Sequence, residues 1–343
     1  MRRMRIGIVG ATGFTGSELV RLLINHPEVE ITAITSESRK GEEFSDVHPQ
    51  FLGLINNKLI SINDLPKDLD IVFLALPHGV SMDFVKAHHQ DYRIIDLSGD
   101  FRLSGKNVYE YWYKKDHVYA DGFAKAVYGL PELYRTSIKV AKLVANPGCF
   151  PTSAILALAP LFANQLVSKN HIIIDSKTGV TGAGIKVRPN THFSMVNDNF
   201  TAYGIKSHRH SIEIQEKLEE QQKGDLSVLF TPHLLPVDRG ILSTCYTKPR
   251  EKVGDKTLNS MYSAFYKDEP FIRLRKSLPN LKEVRGTNFA DIFVTYDERT
   301  DTIISVATID NLVKGAAGQA IHNMNIMLGF EEKLGLNQIP LQP

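Results

Sequence analysis

Apolar runs alternate with helix-spaced apolar positions along the N-terminal part of the chain. Arg5–Val9 reads as a strand, and Ser17–Asn25 carries Leu19, Leu22 and Leu23 at i, i+3, i+4 on one face. Val29–Thr35 is a second strand. Asp70–Leu76 is apolar after its first residue, as in a parallel strand buried on both faces. Arg93–Leu97 and Lys142–Ala145 add two more, and strand, helix, strand in this order predicts an α/β unit with a doubly wound parallel sheet. From about residue 150 the pattern changes. Ile172–Asp175, Leu226–Thr231, Leu242–Tyr246, Phe271–Leu274, Asp291–Tyr296 and Thr302–Asp310 read as strands with fewer helices between them. The last two flank Asp297–Asp301 as an antiparallel hairpin, so a second, α+β domain with a mostly antiparallel or mixed sheet is expected. Asn311–Gly329 then reads as one long helix.

The length of 343 residues agrees with two domains rather than one core. Forty Lys+Arg against 38 Asp+Glu leave a net charge of +2, which gives no electrostatic footprint for nucleic acid or an anionic membrane. Two cysteines cannot build a disulfide framework, and so few in a long chain suggest a reduced, cytoplasmic enzyme. The uncharged stretch Leu143–Ser168 is long enough to cross a bilayer. It is interrupted by Asn146, Pro147, Gly148, Pro151 and Pro160, and is expected to be a buried strand, turn and helix.

Between the first strand and the first helix lies Gly10-Ala11-Thr12-Gly13-Phe14-Thr15-Gly16. Glycines at this place let the backbone approach a pyrophosphate, whose charge is held by the helix N-terminus, and they predict a Rossmann-type dinucleotide site. The second strand ends in Ser36-Glu37-Ser38-Arg39-Lys40. Ser36, Ser38, Arg39 and Lys40 can donate to a ribose 2′-phosphate, which favours NADP(H); Glu37 is the counter-indication.

Ala145–Ala154 holds the chemistry. A strand ends, Pro147-Gly148 turns the chain, and Cys149 stands where a helix begins, with Pro151 in its first turn. A helix N-terminus stabilises a thiolate, which makes Cys149 the candidate nucleophile, whereas Cys245 lies mid-strand among apolar neighbours. A thiolate beside a nicotinamide defines a narrow chemistry: an activated acyl group is captured as a thioester, which hydride reduces to an aldehyde. The acid/base partner is sought in His208-Arg209-His210, at the start of a helical pattern. No set of residues completes a metal motif.

At these residues the chain resembles the N-acetyl-γ-glutamyl-phosphate reductases of arginine biosynthesis, relatives of the aspartate-semialdehyde dehydrogenases. Asn146–Cys149 and Gly10–Gly16 carry the likeness. Ala75–Gly79, Asp96–Arg102, Tyr128–Glu132, Ser176–Gly184, His208–His210, Pro236–Gly240 and Gly315–Ala320 continue it in order, nearly end to end. Gly99 stands where the family usually has alanine. The resemblance implies NADPH-dependent reduction of an N-acyl-γ-glutamyl phosphate to the semialdehyde, with phosphate released, by a homodimer or homotetramer. Cys149 would form the thioester. His208 and His210 both remain open as acid/base, with His210 favoured. Arg102 and Asn146 would meet the substrate phosphate, and Lys177, Arg209 and Arg239 its α-carboxylate. Pro77, Gly79 and Ser98 would lie along the cofactor, with Asn288 and Gly315 on the nicotinamide side.

The change of pattern puts a domain boundary near Asn146–Cys149, giving a cofactor domain of residues 1–148 and a catalytic and dimerisation domain of 149–311, and the resemblance implies that a C-terminal helix over 312–343 completes the former. No motif marks the acyl group, whether acetyl, succinyl or carrier-linked. A regulator that only senses NADPH would need the glycine loop but neither Cys149 nor the histidines. An aspartate-semialdehyde enzyme would share both and differ in substrate length.

Overall fold

The computed structural model describes residues 2–342. They form two compact units, one comprising the chain up to Pro147 with Ala316–Asn337, the other Gly148–Gly315 with the residues from Gln338 onward.

In the first unit the apolar runs become β1 (Met4–Val9), β2 (Val29–Thr35), β3 (Leu59–Ile60), β4 (Ile71–Leu74), β5 (Arg93–Asp96), β6 (Ala126–Tyr128) and β7 (Leu143–Ala145). All neighbours are parallel, in the order β3-β2-β1-β4-β5-β7-β6, so the sheet is the expected doubly wound one. Ile6, Ile8 and the whole of β4 are fully buried because helices cover both faces. The helix α1 (Phe14–Leu23) turns Leu19, Val20, Leu22 and Leu23 into this core. Between β1 and β4 the strand order reverses, which puts the ligand crevice at their carboxyl ends.

The helix expected over 312–343 is not one helix. Val313–Ala317 is a π-helical turn, closed by the Gly315 N–H donating to the Asp310 carbonyl at 2.9 Å. The α-helix proper runs Gly318–Leu328 and stops at Gly329, whose φ of +75° is the left-handed conformation glycine adopts without strain. Downstream, Asn325 Nδ2 donates to the carbonyls of Glu332 and Leu334, holding the chain in turns. Residues from Gln338 onward group with the second unit, where the Leu341 N–H donates to the Arg285 carbonyl.

The second unit begins with the helix α2 (Cys149–Ala163) and builds its sheet from β8 (Ile172–Thr178), β9 (Thr201–Ala202), β10 (Val228–Leu234), β11 (Ile241–Thr247), β12 (Ile272–Leu274), β13 (Ala290–Asp297) and β14 (Thr302–Ile309). The order is β12-β13-β14-β11-β8-β10-β9, antiparallel except at β12–β13 and β8–β10. Burial alternates along β8 and β11, as in a sheet covered on one face. The cover is α2, buried from Phe150 to Phe162, which has no polar face to show. Its tie to the sheet is a hydroxyl chain, Ser153 to Ser243 at 2.6 Å and Ser243 to Ser176 at 2.7 Å.

Candidate active site

In the first unit the glycine loop is shaped by what its residues lack. Gly10 has φ +82°, and a Cβ there would lie 2.6 Å from the Ala75 carbonyl oxygen. At Gly16 a Cβ would lie 2.5 Å from the Gly10 carbonyl oxygen, so the third glycine is a packing requirement. Gly13 differs: its nearest neighbour would be 3.9 Å away, leaving room for a ligand. Gly13 caps α1 with no side-chain bond, and the first turn holds no acid. The first-turn N–H groups, in Phe14, Thr15 and Gly16, therefore face this open side with the positive end of the helix dipole. Thr12 Oγ1 meets Ser36 Oγ at 3.3 Å, joining the loop to the end of β2.

Ser38, Arg39 and Lys40 are exposed beyond β2; Arg39 pairs with Glu42 and Lys40 with Asp64. Glu37, the acid that counted against a 2′-phosphate, is bonded to the protein and lies within electrostatic reach of Lys40. Its carboxylate accepts from the Ile62 N–H at 2.7 Å and from the Ser61 hydroxyl.

Past β4 and β5 two loops interlock. Gly79 and Met82 N–H donate to the two oxygens of buried Asp100, at 2.7 and 3.1 Å, and the Gly99 N–H donates to His78 Nδ1. Pro77 is exposed on the same loop, beside the left-handed Gly79. The Ser98 hydroxyl is spent inside the protein, donating to Asp96 and accepting from the Asp100 N–H. Burial pushes the Asp96 carboxyl up to about 6, and the charge of Asp100 adds to the shift.

Arg102 and Asn146, expected at the substrate phosphate, have their bonds committed to the protein. Arg102 Nε donates to the Asn146 carbonyl at 2.6 Å and Nη2 to the Leu97 carbonyl at 2.7 Å, tying together the ends of β5 and β7. Asn146 is fully buried, donating to the Ala316 carbonyl and accepting from Asn323. Sequence shows the donors but not the carbonyls that folding brings to them.

In the second unit Cys149 is the first residue of α2 and is partly exposed, while Cys245 is fully buried in β11, where burial pushes its thiol up. Gly148 has ordinary extended backbone, φ −67° and ψ 152°, so the turn does not require a glycine. The requirement is contact: a Cβ on Gly148 would lie 2.5 Å from His210 Nε2. Gly315 does the same on another side, where a Cβ would lie 2.8 Å from the Cys149 Cβ. Two glycines thus let an imidazole close on Gly148 and a backbone turn close on Cys149.

His210 opens the helix α3 (His210–Gln221), and Glu213, one turn on, is fully buried with Oε1 accepting the Gly148 N–H at 2.8 Å. Glu213 escaped the sequence reading, although its i, i+3 spacing from His210 places both on one helix face. Tyr203 escaped it too; it lies within electrostatic reach of Cys149 and Arg209, and burial raises its phenol.

His208 stands one ring further out, among Phe150, Tyr203 and Phe230, with its centroid 4.8 Å from that of His210. Burial lowers it to about 4, with the Arg209 charge assisting. Its Nδ1 accepts the His210 N–H at 3.2 Å, so the ring is neutral and serves the start of α3.

Lys177 is not brought to Cys149. Ser176 faces α2, so the alternation of β8 puts Lys177 on the opposite face, where Asp175 holds its ammonium at 2.8 Å. Arg239 Nη1 lies 3.5 Å from the buried carboxylate of Asp310. Asn288 is fully buried, and neither polar atom of its side chain has a hydrogen-bond partner among the described residues. No group of three His, Cys, Asp or Glu among the described residues is placed to hold a metal ion.

A cysteine at a helix start, with a histidine against the glycine before it, in a chain that also carries a dinucleotide-type sheet, fits the semialdehyde dehydrogenase class, and the family models place it there. Residues 5–141 match the semialdehyde dehydrogenase NAD-binding domain and residues 149–311 the semialdehyde dehydrogenase dimerisation domain. The chain belongs to the N-acetyl-gamma-glutamyl-phosphate reductase family, and so to the oxidoreductases. It is 50% identical to the protein of that name from Methanococcus maripaludis strain C5, over 98% of this chain and 99% of the relative. The protein of that name from Pelotomaculum thermopropionicum is 47% identical, over 99% of both. The fold is also that of aspartate semialdehyde dehydrogenase II from Vibrio cholerae, at TM-score 0.73 and 16% identity over 96% of this chain and 99% of that one. Aspartate semialdehyde dehydrogenase from Candida albicans, solved with NADP, gives 0.68 at 15% identity over 95% and 98%.

Proposed function

We propose that this protein reduces N-acetyl-γ-glutamyl phosphate to N-acetylglutamate semialdehyde with NADPH, releasing phosphate, as a step of arginine biosynthesis. The observation that carries the reading is Cys149 on the first turn of α2 with His210 Nε2 against Gly148. The Cys149 thiolate attacks the acyl carbonyl, phosphate leaves, and a thioester remains on the sulfur. His210 is the group beside the sulfur that moves a proton, while neutral His208 supports the start of α3 and holds His210 in place. Glu213 fixes the Gly148 peptide and so the entry to α2. The first-turn N–H groups of α2 stabilise the oxyanion formed at the carbonyl.

The first unit fits a dinucleotide. Gly13 is open and the α1 N-terminus is uncapped, which supports the reading; Ser36, Ser38, Arg39 and Lys40 are assigned to the 2′-phosphate, for which Arg39 and Lys40 would exchange their pairs with Glu42 and Asp64. When bound, NADPH supplies the hydride that turns the thioester into the aldehyde and returns the thiolate. Arg209 and Arg239 are the cations of the second unit we assign to the substrate α-carboxylate. The dimerisation domain supports a homodimer or homotetramer, and we place the enzyme in the cytoplasm; no helix among the described residues is long and apolar enough to cross a membrane.

The test is the reverse reaction, NADP reduction by N-acetylglutamate semialdehyde with phosphate, beside the N-succinyl compound and aspartate semialdehyde. Phosphate-dependent turnover of the acetylated substrate is expected. Preference for the succinyl compound would keep the mechanism and change the substrate, and activity on aspartate semialdehyde alone would overturn the reading.

A further inference from the structure

Asp310 follows β14 and is fully buried. It holds three separate pieces of chain. Its Oδ1 accepts the N–H groups of Leu312 and Val313 at 2.8 and 3.1 Å, and its own carbonyl accepts the Gly315 N–H, which closes the π-turn. That turn presses Gly315 against Cys149. Oδ2 accepts the Gly286 N–H at 2.7 Å, two residues before Asn288, and faces the Arg239 guanidinium at 3.5 Å. Asn311, the next residue, adds two ties in the same region: its Oδ1 accepts the Gly240 N–H and its Nδ2 donates to Thr181 Oγ1.

Capping the turn alone needs no charge; a serine or asparagine oxygen would accept from Leu312 and Val313. A buried carboxylate costs desolvation that such a residue avoids. The ionised group is matched here to two further demands, an N–H from the Asn288 loop and a cation at Arg239, both on the same oxygen. π-helical turns of this kind concentrate at functional sites, and this one carries the glycine that bounds the nucleophile.

We propose that Asp310 is a positioning residue of the reductase reaction: one carboxylate sets the Gly315 wall of Cys149, the Asn288 loop and the direction of the Arg239 guanidinium together. The proposal rests on the functional reading above. Asp310 itself touches no reacting atom.

The test uses the full-length enzyme with Asp310→Asn, which keeps the size and the oxygen facing Leu312 but turns an N–H toward Gly286 and removes the charge beside Arg239. Should that variant not fold, Asp310→Ser keeps the turn cap and loses Oδ2. Two readouts apply below the melting temperature. In steady-state kinetics, kcat/KM falls by about a hundredfold, with KM for the acyl phosphate raised. Combined with Arg239→Lys, the losses are less than multiplicative, because both changes break one linkage.

In alkylation by iodoacetamide, Cys149 reacts faster than in the wild type, since the loosened wall and the lost negative charge act in the same direction. Cys245 is fully buried and stays silent. Unchanged alkylation, or losses that multiply, would overturn the proposal and leave Asp310 a stabilising group, whatever happens to the melting temperature. A wild type silent on the acyl phosphate would instead defeat the functional reading, and the alkylation arm alone would then decide the role of Asp310.

Discussion

The glycine loop and the nucleophile are two versions of one local device. Both α1 and α2 start after a glycine with no side-chain cap and no acid in the first turn. The glycines serve opposite ends. Gly13 leaves space that the protein does not fill, whereas the space left by Gly148 is taken by His210. An uncapped helix start is therefore a platform for negative charge in either unit. What stands opposite decides whether that charge is a ligand phosphate or the enzyme's own thiolate and oxyanion.

The comparison breaks most sharply at the sulfur. Cys149→Ser lowers turnover by about a thousandfold or more, because a hydroxyl at that position is a far weaker nucleophile, while NADPH affinity by fluorescence titration stays at the wild-type value. Retained turnover would remove the thioester from the mechanism.

The next effect comes from burying an imidazole in the second unit. His208 titrates near 4 in the folded chain against 6.5 when unfolded, so the unfolded chain takes up the proton first as pH falls. No penalty exists above about 6.5, and the full penalty of about 3 kcal/mol is present below the folded value. Urea unfolding at pH 7 and at pH 4 measures it; His208→Asn should lose less stability over that interval than the wild type.

The two glycines come next. Gly148→Ala drives a methyl into His210, so kcat should fall by about a hundredfold with cofactor affinity kept. Gly13→Ala meets only the Gly10 carbonyl oxygen, at an ordinary contact distance of 3.9 Å, and should leave the melting temperature nearly unchanged. Its methyl occupies the ligand's side, so NADPH binding weakens by about tenfold, or roughly 1.4 kcal/mol. If both substitutions changed kcat alone, the distinction between a ligand-filled and a side-chain-filled helix start would fail.

The smallest effect belongs to the rim of the first unit. Alanine at Arg39 and Lys40 should raise KM for NADP(H) severalfold and leave KM for NAD(H) nearly as it was, since only the former carries the 2′-phosphate. An equal change for both cofactors would mean these exposed cations do not read it.

Much of this was legible along the chain. The parallel sheet of the first unit follows from runs such as Val29–Thr35, since a strand buried on both faces must be apolar at successive positions. Cys149 could be placed at a helix start because Pro147, Gly148 and Pro151 are local signals, and the glycine loop was visible for the same reason. The long apolar-patterned stretch from Asn311 reads as one helix, but it folds as a π-turn over Val313–Ala317 followed by the helix Gly318–Leu328. Spacing does not show that the Gly315 N–H reaches back five residues to Asp310, or that Gly329 would turn left-handed.

Donor chemistry was similarly ambiguous. Arg102, Asn146 and Lys177 have the right groups for an anionic substrate, but the acceptors they meet lie 44, 170 and two residues away in sequence, and only folding ranks those acceptors against a ligand. Glu213 and Asp310 show the converse. Each is an ordinary acid in sequence, and each becomes an organiser of the Cys149 surroundings by accepting backbone N–H groups from remote loops. Residue type and near-neighbour spacing set helix starts, buried strands and the reactive atom. Which polar group meets which is decided by tertiary structure, because a hydrogen bond depends on position to a few tenths of an ångström and not on distance along the chain.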